Sequence, residues 1–353
     1  MKIASIVGAR PQFIKCAAIS RELRKAHEEV LVHTGQHYDH GMSEIFFEEL
    51  DMPRPDYNLN VGSSTHGKQT GEMLMRIEKV LAKELPDLVL LYGDTNSTLA
   101  GALAASKLHM KIAHVEAGLR SFDRSMPEEI NRILTDHISD LLFCPSQNAM
   151  DNLRKEGIAG GSYLVGDVMV DTLNHYKKIA VKKNKLSEQL GLKKGAYYVL
   201  TLHRPGNTDS RENLKNIMGA LEESGKTIVF PVHPRTRKYL QSYGFLNSMP
   251  DNVKLIEPVG YLDMIKLMMG AEKIMTDSGG IQKEAYVLGV PCITLRENTE
   301  WIETLDGKWN VLVGTNKDMI IKMIHETGDR GEHRDIFGKN ASKKIVKTIE
   351  IIA

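Results

Sequence analysis

Residues 272–295 read EKIMTDSGGIQKEAYVLGVPCITL, and the fold assignment rests on the pattern in this stretch. It opens with an apolar run at 272–276 and closes with another at 291–295, as is typical of buried strands. Between them, Ser278 is placed to begin a helix, and Gly289 followed by Pro291 is placed to end it. The stretch therefore predicts a strand–helix–strand unit.

The same alternation of short apolar runs and longer helical segments continues in both directions along the chain. The runs with strand character span 2–8, 29–34, 87–92, 111–116, 141–145 and 163–166 in the first half, and 197–202, 226–232, 253–257, 272–276, 291–295 and 309–313 in the second. Apolar strands separated by helices are typical of parallel sheets covered on both faces. Two such sets predict two doubly wound α/β domains, with the Lys-rich stretch 177–194 as their boundary and helices at 316–326 and 333–352 closing the chain.

The composition excludes several classes of function. Among the 353 residues, 46 Lys and Arg balance 45 Asp and Glu, which argues against a general nucleic-acid binder and against a polybasic membrane anchor. The three cysteines, Cys16, Cys144 and Cys292, are far apart and indicate neither a disulfide framework nor a zinc cluster. The first apolar stretch is too short for a secretory signal, and no run approaches the ~20 apolar residues of a membrane span. We therefore expect a cytoplasmic protein.

In open α/β sheets, ligands bind beyond the carboxyl ends of the strands, so the residues that follow each run are the candidates for function. After the first run, Gly8 allows a tight turn and Pro11 suits the first helical position. This places Arg10 and Lys15 near a helix N-terminus, which attracts anions. Neither a G-x-G-x-x-G string nor a Walker A string is present. Arg10 and Lys15 are candidate anion ligands, with ordinary surface charges as the alternative.

Acidic residues follow two further strands. Asp94 comes after the third run, where Thr95 and its neighbours can cap the next helix and leave Asp94 to face a ligand. In the fourth run, strand alternation puts His114 and Glu116 on one face, and Glu116 is costly to bury there without a partner or a task. Two roles stay open for Glu116: acid–base catalysis, or a structural ion pair with Arg120.

A third candidate carboxylate belongs to a helix that is predicted to begin at Pro127. Glu128 lies in its first turn and shares a face with Arg132 at i,i+4, which is also ordinary helix chemistry. The stripe expected to face the core consists of Ile130, Ile133, Leu134 and Leu141. The convergence of Glu128 with Asp94 and Glu116 favours a site that moves protons.

In the second half, histidines follow two strands. His203 precedes Arg204, and His233 lies two residues before an arginine, a combination typical of sites for anionic substrates. No pair of His and carboxylate residues at i,i+3 or i,i+4 supports a metal site here. The loop that ends at Tyr261 could meet a flat base.

The string that opened this section also predicts a diphosphate site. Ser278 begins the helix, and Gly279 and Gly280 allow a phosphate to approach its free N–H groups. Glu284 follows about one and a half turns later, on the side able to accept hydrogen bonds from ribose hydroxyls. Close packing alone can also explain two glycines after a strand.

Taken in order and spacing, these strings resemble the non-hydrolysing UDP-N-acetylglucosamine 2-epimerases. The strings V-E-A-G-L-R-S, P-E-E-I-N-R and D-S-G-G-I-Q-K-E carry the resemblance, which runs from G-A-R-P-Q to W-N-V-L-V-G at 309–314. It implies two Rossmann-like domains facing a central cleft, the GT-B arrangement, over 1–176 and 177–335, with a helix in 336–353 that crosses back to the first domain. It also implies a homodimer that uses neither NAD nor a metal.

The resemblance assigns roles to the candidate residues. The sugar would meet Asp94, Glu116, Glu128, Arg132 and His203, of which the three carboxylates and His203 form the catalytic set. UDP would lie on Ser278, Gly279, Gly280 and Glu284, with Arg10, Lys15, Arg204, His233 and Tyr261 as further ligands. The family reaction eliminates UDP to form a 2-acetamidoglucal and then adds it back with inversion at carbon 2.

Several positions depart from the family pattern. Gln12 stands where many members have Glu, and Glu300-Trp301-Ile302 stands where many have Glu-Arg-Pro. The G-A-R-P-Q form also occurs in relatives that epimerise UDP-2,3-diacetamido uronic acids, which are the alternative substrates. The activator string Q-H-x-x-Q keeps Gln36 and His37 but lacks its second Gln. A hydrolysing 2-epimerase, a glycosyltransferase and a non-catalytic nucleotide-sugar sensor are the rival functions.

Overall fold

The structure is a computed structural model that describes residues 1–36, 52–158, 160–183 and 186–352. The chain divides into two compact units. The first consists of Met1–Asn174 together with Ile336–Ala353, and the second of His175–Asp335.

The first unit is built on a parallel sheet of seven strands in the order β3-β2-β1-β4-β5-β6-β7. The strands are β1 (Lys2–Val7), β2 (Glu28–His33), β3 (Tyr57–Asn58), β4 (Leu88–Tyr92), β5 (Lys111–Val115), β6 (Leu141–Cys144) and β7 (Ser162–Leu164). The inner strands are buried along almost their whole length, as expected for a sheet covered on both faces. The sequence predicted every strand except β3, which has only two residues and is too short to form a pattern.

Helices cover both faces of this sheet. They are α1 (Arg10–Leu23), α2 (His66–Glu84), α3 (Asn96–Lys107), α4 (Pro127–His137), α5 (Gln147–Lys155) and α6 (Val168–Lys183), within which the division between the units falls. The last helix of the chain, Ala341–Ile352, packs on α1. The prediction of a helix from residue 333 was wrong, because Gly338 and Asn340 adopt left-handed backbone conformations that a right-handed helix cannot contain.

The second unit repeats the design with six parallel strands in the order β10-β9-β8-β11-β12-β13. They are β8 (Tyr198–Thr201), β9 (Ile228–Pro231), β10 (Val253–Ile256), β11 (Lys273–Thr276), β12 (Cys292–Thr294) and β13 (Asn310–Leu312). Its helices are α7 (Leu186–Gln189), α8 (Pro205–Thr208), α9 (Arg211–Ser224), α10 (Pro234–Ser242), α11 (Tyr261–Gly270), α12 (Gly279–Leu288) and α13 (Lys317–His325), so that Ala341–Ile352 is α14. Two short 3₁₀ segments, Phe245–Ser248 and Ile302–Lys308, complete it.

Both units have the strand order of a doubly wound Rossmann-like fold, which confirms the fold class predicted from the sequence. In each unit the order reverses beside its first strand, between β1 and β4 and between β8 and β11. Connections leave in opposite directions at such a switch point and open a crevice beyond the strand ends. The loops after these four strands are therefore the places to look for a site.

The loops are tightly packed at the first switch point. A Cβ atom on Gly8 would lie 2.0 Å from Thr34 Oγ1 and 2.2 Å from Ser97 Oγ. These two hydroxyls are 2.8 Å apart and hydrogen-bond each other, so neither can rotate away without loss. Only glycine fits between the ends of β1 and β2 and the start of α3.

None of the helices within the described ranges is both long and apolar enough to cross a bilayer.

Two glycine-to-alanine variants test this packing. Gly8→Ala is expected to lower the free energy of unfolding by about 1–3 kcal/mol, because the added methyl overpacks the junction. Gly71→Ala is the matched control, since a Cβ atom there, inside α2, meets nothing within 4 Å. It is expected to stabilise the protein by up to about 1 kcal/mol. Urea unfolding measures both, and equal effects of the two variants would contradict the packing described here.

Candidate active site

A buried ion pair lies at the carboxyl ends of the central strands in the first unit. The ammonium of Lys15, on α1, contacts Glu116 Oε2 just after β5, and both side chains are almost fully buried. The pair lies over Gly93, where an added Cβ would come within 3.0 Å of Lys15 Nζ. The interpretation that Arg120 pairs with Glu116 was wrong; Lys15 is the partner, because Arg120 is engaged with other carboxylates.

Glu116 has a strained backbone. Its φ of +72° lies in the left-handed region, which costs a residue with a Cβ roughly 1–3 kcal/mol. The surrounding structure holds this conformation, since the N–H groups of Glu116 and Ala117 both donate to the carbonyl of Phe143 at 3.1 Å. Strain of this kind is found mostly at functional sites, and here it aims the carboxylate at Lys15.

A second buried network supports the same turn. His114 has Nδ1 2.7 Å from Asp136 Oδ1 and Nε2 2.7 Å from the carbonyl oxygen of Gly93. The ring of His114 is therefore held between a carboxylate and a backbone carbonyl. Arg120 joins Asp136 to Glu156, so His114, Asp136, Arg120 and Glu156 form one hydrogen-bonded chain beneath the Gly93 turn.

Asp136 is ionised in this network. Burial would raise the pKa of its carboxyl, but the hydrogen bonds and charges of His114 and Arg120 outweigh burial and hold the pKa below its ordinary value of 3.8. The carboxylate also accepts the N–H of Gly118 at 3.0 Å. Asp136 thereby joins the end of β5 to α4.

Helix α4 carries the third part of the site. Arg132 Nη2 lies 2.6 Å from Asp94 Oδ2, and Asn131 Nδ2 donates to the carbonyl of Asp94 at 2.9 Å. Glu128 lies half-buried in the first turn. The predicted apolar core stripe was wrong for Leu134, which is 44 % exposed, whereas Ile130 and Ile133 are half-buried and Leu141 is buried but belongs to β6. The fully buried residues of α4 are polar: Glu129, Asn131, Arg132, Thr135 and Asp136. Polar residues occupy these positions because the strand ends present complementary charges and backbone groups to them.

Gln12 forms a polar cross-link under the first loop. Its Oε1 accepts the N–H groups of Gly8 and Ala9, while its Nε2 donates to the carbonyl of Tyr92 at 2.8 Å. A carboxylate could not donate that last bond, so the amide is required by the surrounding groups.

Arg10 is the first residue of α1 and is half-buried. Gln36 Oε1 accepts from Ser97, and His37 lies outside the described residues.

In the second unit, Asp277 organises the loop that carries His203 and Arg204. Its buried carboxylate accepts the backbone N–H groups of both residues at 3.0–3.1 Å and the side-chain amide of Asn207. The ring of His203 is 6.1 Å from that of His233. His233 Nδ1 accepts the N–H of Arg235, so in its neutral form His233 presents Nε2–H as a donor.

The start of α12 is open on one side and closed on the other. Ser278 occupies the N-cap position, as predicted, although its side chain makes no capping hydrogen bond. A Cβ on Gly279 would lie 2.1 Å from Glu300 Oε1, whereas one on Gly280 would meet only Ser278 Oγ, at 3.8 Å. Gly279 therefore leaves room for the buried carboxylate of Glu300, and Gly280 leaves the first N–H groups of the helix accessible to an anion.

Further along α12, two other candidates meet. Tyr261 Oη donates to Glu284 Oε1 at 2.9 Å, and both side chains are buried. One turn away from the glycines, Lys283 Nζ lies 4.0 Å from the centre of the Trp301 ring, a cation–π contact. Trp301 is therefore held in place by a buried lysine.

The candidate residues form one group in each unit. In the first unit, the candidates follow β1, β4 and β5 or belong to α4: Lys15, Asp94, Glu116, Glu128 and Arg132. In the second unit, the candidates follow β8, β9 and β11: His203, Arg204, His233 and the segment Ser278 to Glu284. Sequence reasoning missed Glu129, Asp136 and Asp277. Their signal was weak, because an acidic residue in a helix or loop ordinarily indicates a solvent-exposed position. No cluster of three His, Cys, Asp or Glu suited to a metal occurs in the described parts of the chain.

The pH dependence of stability tests the Asp136 network. Asp136→Asn is expected to lower the free energy of unfolding at neutral pH by about 3–5 kcal/mol, because it removes a buried carboxylate from the buried guanidinium of Arg120. Since the folded pKa lies below 3.8, the stabilisation is present above about pH 4 and is lost as the pH falls through the lowered pKa. Urea titrations from pH 7 to pH 3 measure this difference.

The control for this experiment is Asp151→Asn, which removes a surface carboxylate paired with Arg154. It is expected to change stability little at any pH. A difference between wild type and Asp136→Asn that stays constant down to pH 3 would contradict the assignment of an ionised Asp136.

Comparison with known proteins places the chain among sugar nucleotide epimerases. A family model described as UDP-N-acetylglucosamine 2-epimerase matches residues 21–350. A Methanococcus maripaludis protein named UDP-N-acetylglucosamine 2-epimerase homolog is 59 % identical over 354 residues, with 99 % of each chain covered. The UDP-2,3-diacetamido-2,3-dideoxy-D-glucuronate 2-epimerase of Pseudomonas aeruginosa is 51 % identical over 330 residues, with 91 % of each covered.

A solved structure agrees with these relatives. The crystal structure of Methanocaldococcus jannaschii UDP-GlcNAc 2-epimerase in complex with UDP-GlcNAc and UDP matches with a TM-score of 0.92 at 48 % identity, and the match covers 100 % of both chains. The family model alone covers most of the chain, and the relatives cover nearly all of it. This chain belongs to the UDP-N-acetylglucosamine 2-epimerase family.

Proposed function

We propose that the protein interconverts UDP-N-acetylglucosamine and UDP-N-acetylmannosamine without net hydrolysis. The observation that supports this most strongly is that Asp94 and Glu116 follow neighbouring strands and are each paired with a buried cation, Arg132 and Lys15, while Glu128 lies in the first turn of the helix that carries Arg132. Inversion at carbon 2 requires a proton to leave one face and return to the other, and several acid–base groups in one place suit that requirement.

In the proposed reaction, a carboxylate takes the proton from carbon 2. The electron pair of that C–H bond forms the double bond between carbons 1 and 2, and UDP leaves with the electron pair of the carbon 1–oxygen bond. The products are UDP and a 2-acetamidoglucal. Addition in reverse returns a proton to the opposite face of carbon 2 and UDP to carbon 1, so atoms and charge balance over the cycle.

The first unit supplies groups suited to the proton transfers. Glu116 is paired with Lys15, which presents it as a carboxylate able to accept a proton. Asp94 lies against Arg132 at a different strand end, which allows it to act from another direction. Glu128, in the first turn of α4, completes the proposed set.

The second unit supplies groups suited to UDP. We propose that the open start of α12, at Ser278, Gly279 and Gly280, binds the diphosphate and stabilises the negative charge that develops as UDP leaves. Glu284 accepts the ribose hydroxyls while Tyr261 orients its carboxylate. His203 assists the leaving group, and the remaining proposed ligands are Arg10, Arg204 and His233. We extend the proposal to a homodimer in the cytoplasm that needs neither NAD nor a metal.

A second candidate substrate is a UDP-2,3-diacetamido uronic acid. It is favoured by the 51 % identity to the Pseudomonas aeruginosa enzyme that is named for such a sugar. The reaction at carbon 2 is the same for both substrates, so the two candidates differ only in the groups at carbons 3 and 6 of the sugar.

Proton exchange in heavy water tests the proposed function. With UDP-N-acetylglucosamine in D₂O, NMR is expected to show deuterium at carbon 2 and the appearance of UDP-N-acetylmannosamine. The uronic acid substrate, assayed in parallel, decides between the two candidates by the larger kcat/KM. Free N-acetylmannosamine with UDP as the end products would indicate a hydrolysing enzyme, and absence of exchange with either substrate would refute the proposal.

A further inference from the structure

One buried carboxylate at the candidate site has no role in the proposed reaction. Glu129 is adjacent to Glu128 on α4, yet its side chain is 1 % exposed. It accepts four hydrogen bonds at 2.9 Å: from the N–H and Oγ of Ser121, from the N–H of Phe122 and from Nη1 of Arg132. Every one of its partners is a donor.

The position of Glu129 in the helix does not explain these contacts. Glu129 is the third residue of α4, from which a glutamate ordinarily reaches back to the N–H of the N-cap residue. That N–H, on Met126, donates instead to the carbonyl of Asp123 at 3.1 Å. Glu129 extends further upstream and fastens the loop that follows the Glu116 turn.

The loop needs this attachment. Phe122 has a φ of +59° and is 74 % exposed, so a bulky residue is held in a strained conformation with little packing of its own. Its N–H bond to Glu129 opposes that strain. The charge of Glu129 is retained as well: burial would raise the pKa of its carboxyl, but the bonds from Ser121, Arg132 and Phe122 outweigh burial and lower the pKa below its ordinary value.

Glu129 also controls the direction of Arg132. The guanidinium bridges two carboxylates, with Nη1 on Glu129 Oε2 and Nη2 on Asp94 Oδ2 at 2.6 Å. A planar guanidinium that is fixed at one nitrogen has little freedom at the other. The orientation of the Asp94 carboxylate therefore depends on Glu129 through Arg132.

We propose that Glu129 is a positioning residue of the reaction, which holds Arg132 and the 121–126 loop so that Asp94 points in its working direction. This inference rests on the proposed function. Glu129 itself touches no substrate in this account. An amide cannot replace it, because the NH₂ group of a glutamine would face a donor at one or other of the two oxygen positions.

The test compares two substitutions of the same kind in the same unit. Glu129→Gln is expected to lower kcat by about 10²-fold with little change in KM, since a misdirected carboxylate slows chemistry more than binding. The control is Glu29→Gln. Glu29 is likewise a buried carboxylate bonded by two hydroxyls and an arginine, Ser5, Ser20 and Arg24, but it lies in β2 and contacts none of the candidate site residues.

Glu29→Gln is expected to lose stability but to keep the kcat of the wild type. If both variants lost kcat equally, the effect of Glu129→Gln would be one of stability alone, and the proposal would be overturned. Arg132→Lys provides the second comparison, because an ammonium cannot bridge both carboxylates in the same plane. In that background Glu129→Gln is expected to lower kcat no further, whereas an independent loss of the same size would contradict a route through Arg132.

A readout that does not use turnover separates this proposal from the proposed function. In Glu129→Gln, hydrogen exchange of the peptide that contains residues 121–126 is expected to speed up relative to wild type and to Glu29→Gln, because the NH₂ group of the glutamine replaces the oxygen that accepts the amide of either Ser121 or Phe122. Unchanged amide exchange would overturn the positioning role of Glu129 even if the enzyme is active. Faster amide exchange in a protein that shows no proton exchange at carbon 2 of the substrate would refute the proposed function, and Glu129 would still be shown to hold the loop.

Discussion

The carboxyl ends of β1 and β4 lie side by side because the first sheet winds outward from β1 in both directions, and the rest of the candidate site depends on this constraint. Lys15 follows β1 and Glu116 follows the neighbour of β4, so the topology brings both residues to the same edge of the sheet, where the ammonium and the carboxylate meet over Gly93. The second sheet repeats the arrangement at β8 and β11, where Asp277 fastens the His203 loop. The same reversal of strand order therefore brings charged residues together in each unit.

Buried charges in this protein are satisfied in a consistent way. Asp136, Glu129 and Asp277 each accept hydrogen bonds from donors only, and each joins a loop to a helix or strand of the same unit. A buried carboxylate that loses its partners costs several kcal/mol, so these clusters specify a single arrangement of the loops more than they add net stability. The strain at Glu116 and Phe122 is tolerated for this reason, because several bonds determine each backbone conformation.

The sequence was sufficient to predict the architecture of both sheets. The alternation of apolar runs predicted twelve of the thirteen strands in the described ranges and the doubly wound arrangement, because buried parallel strands have a strong composition signal. It also predicted that Asp94 and Glu116 follow strands, as they do. The partners were harder to predict: Arg120 was the nearest cation to Glu116 in sequence, whereas Lys15, about 100 residues earlier, is its partner in the fold. Long-range pairs of this kind depend on register and packing that no local pattern encodes. The same reason explains α4, whose fully buried residues are polar although its sequence suggested an apolar stripe, since the charges that make these polar residues stable belong to other elements.

We propose that Glu116, strained and paired with Lys15, is one of the carboxylates that move the proton at carbon 2. The most direct measurement is the rate of deuterium exchange at carbon 2 by Glu116→Gln, together with its affinity for UDP by calorimetry. Exchange is expected to fall by about 10²–10⁴-fold, the contribution typical of a general base, while UDP binds as it does to wild type. Exchange at the wild-type rate with unchanged UDP affinity would contradict this proposal.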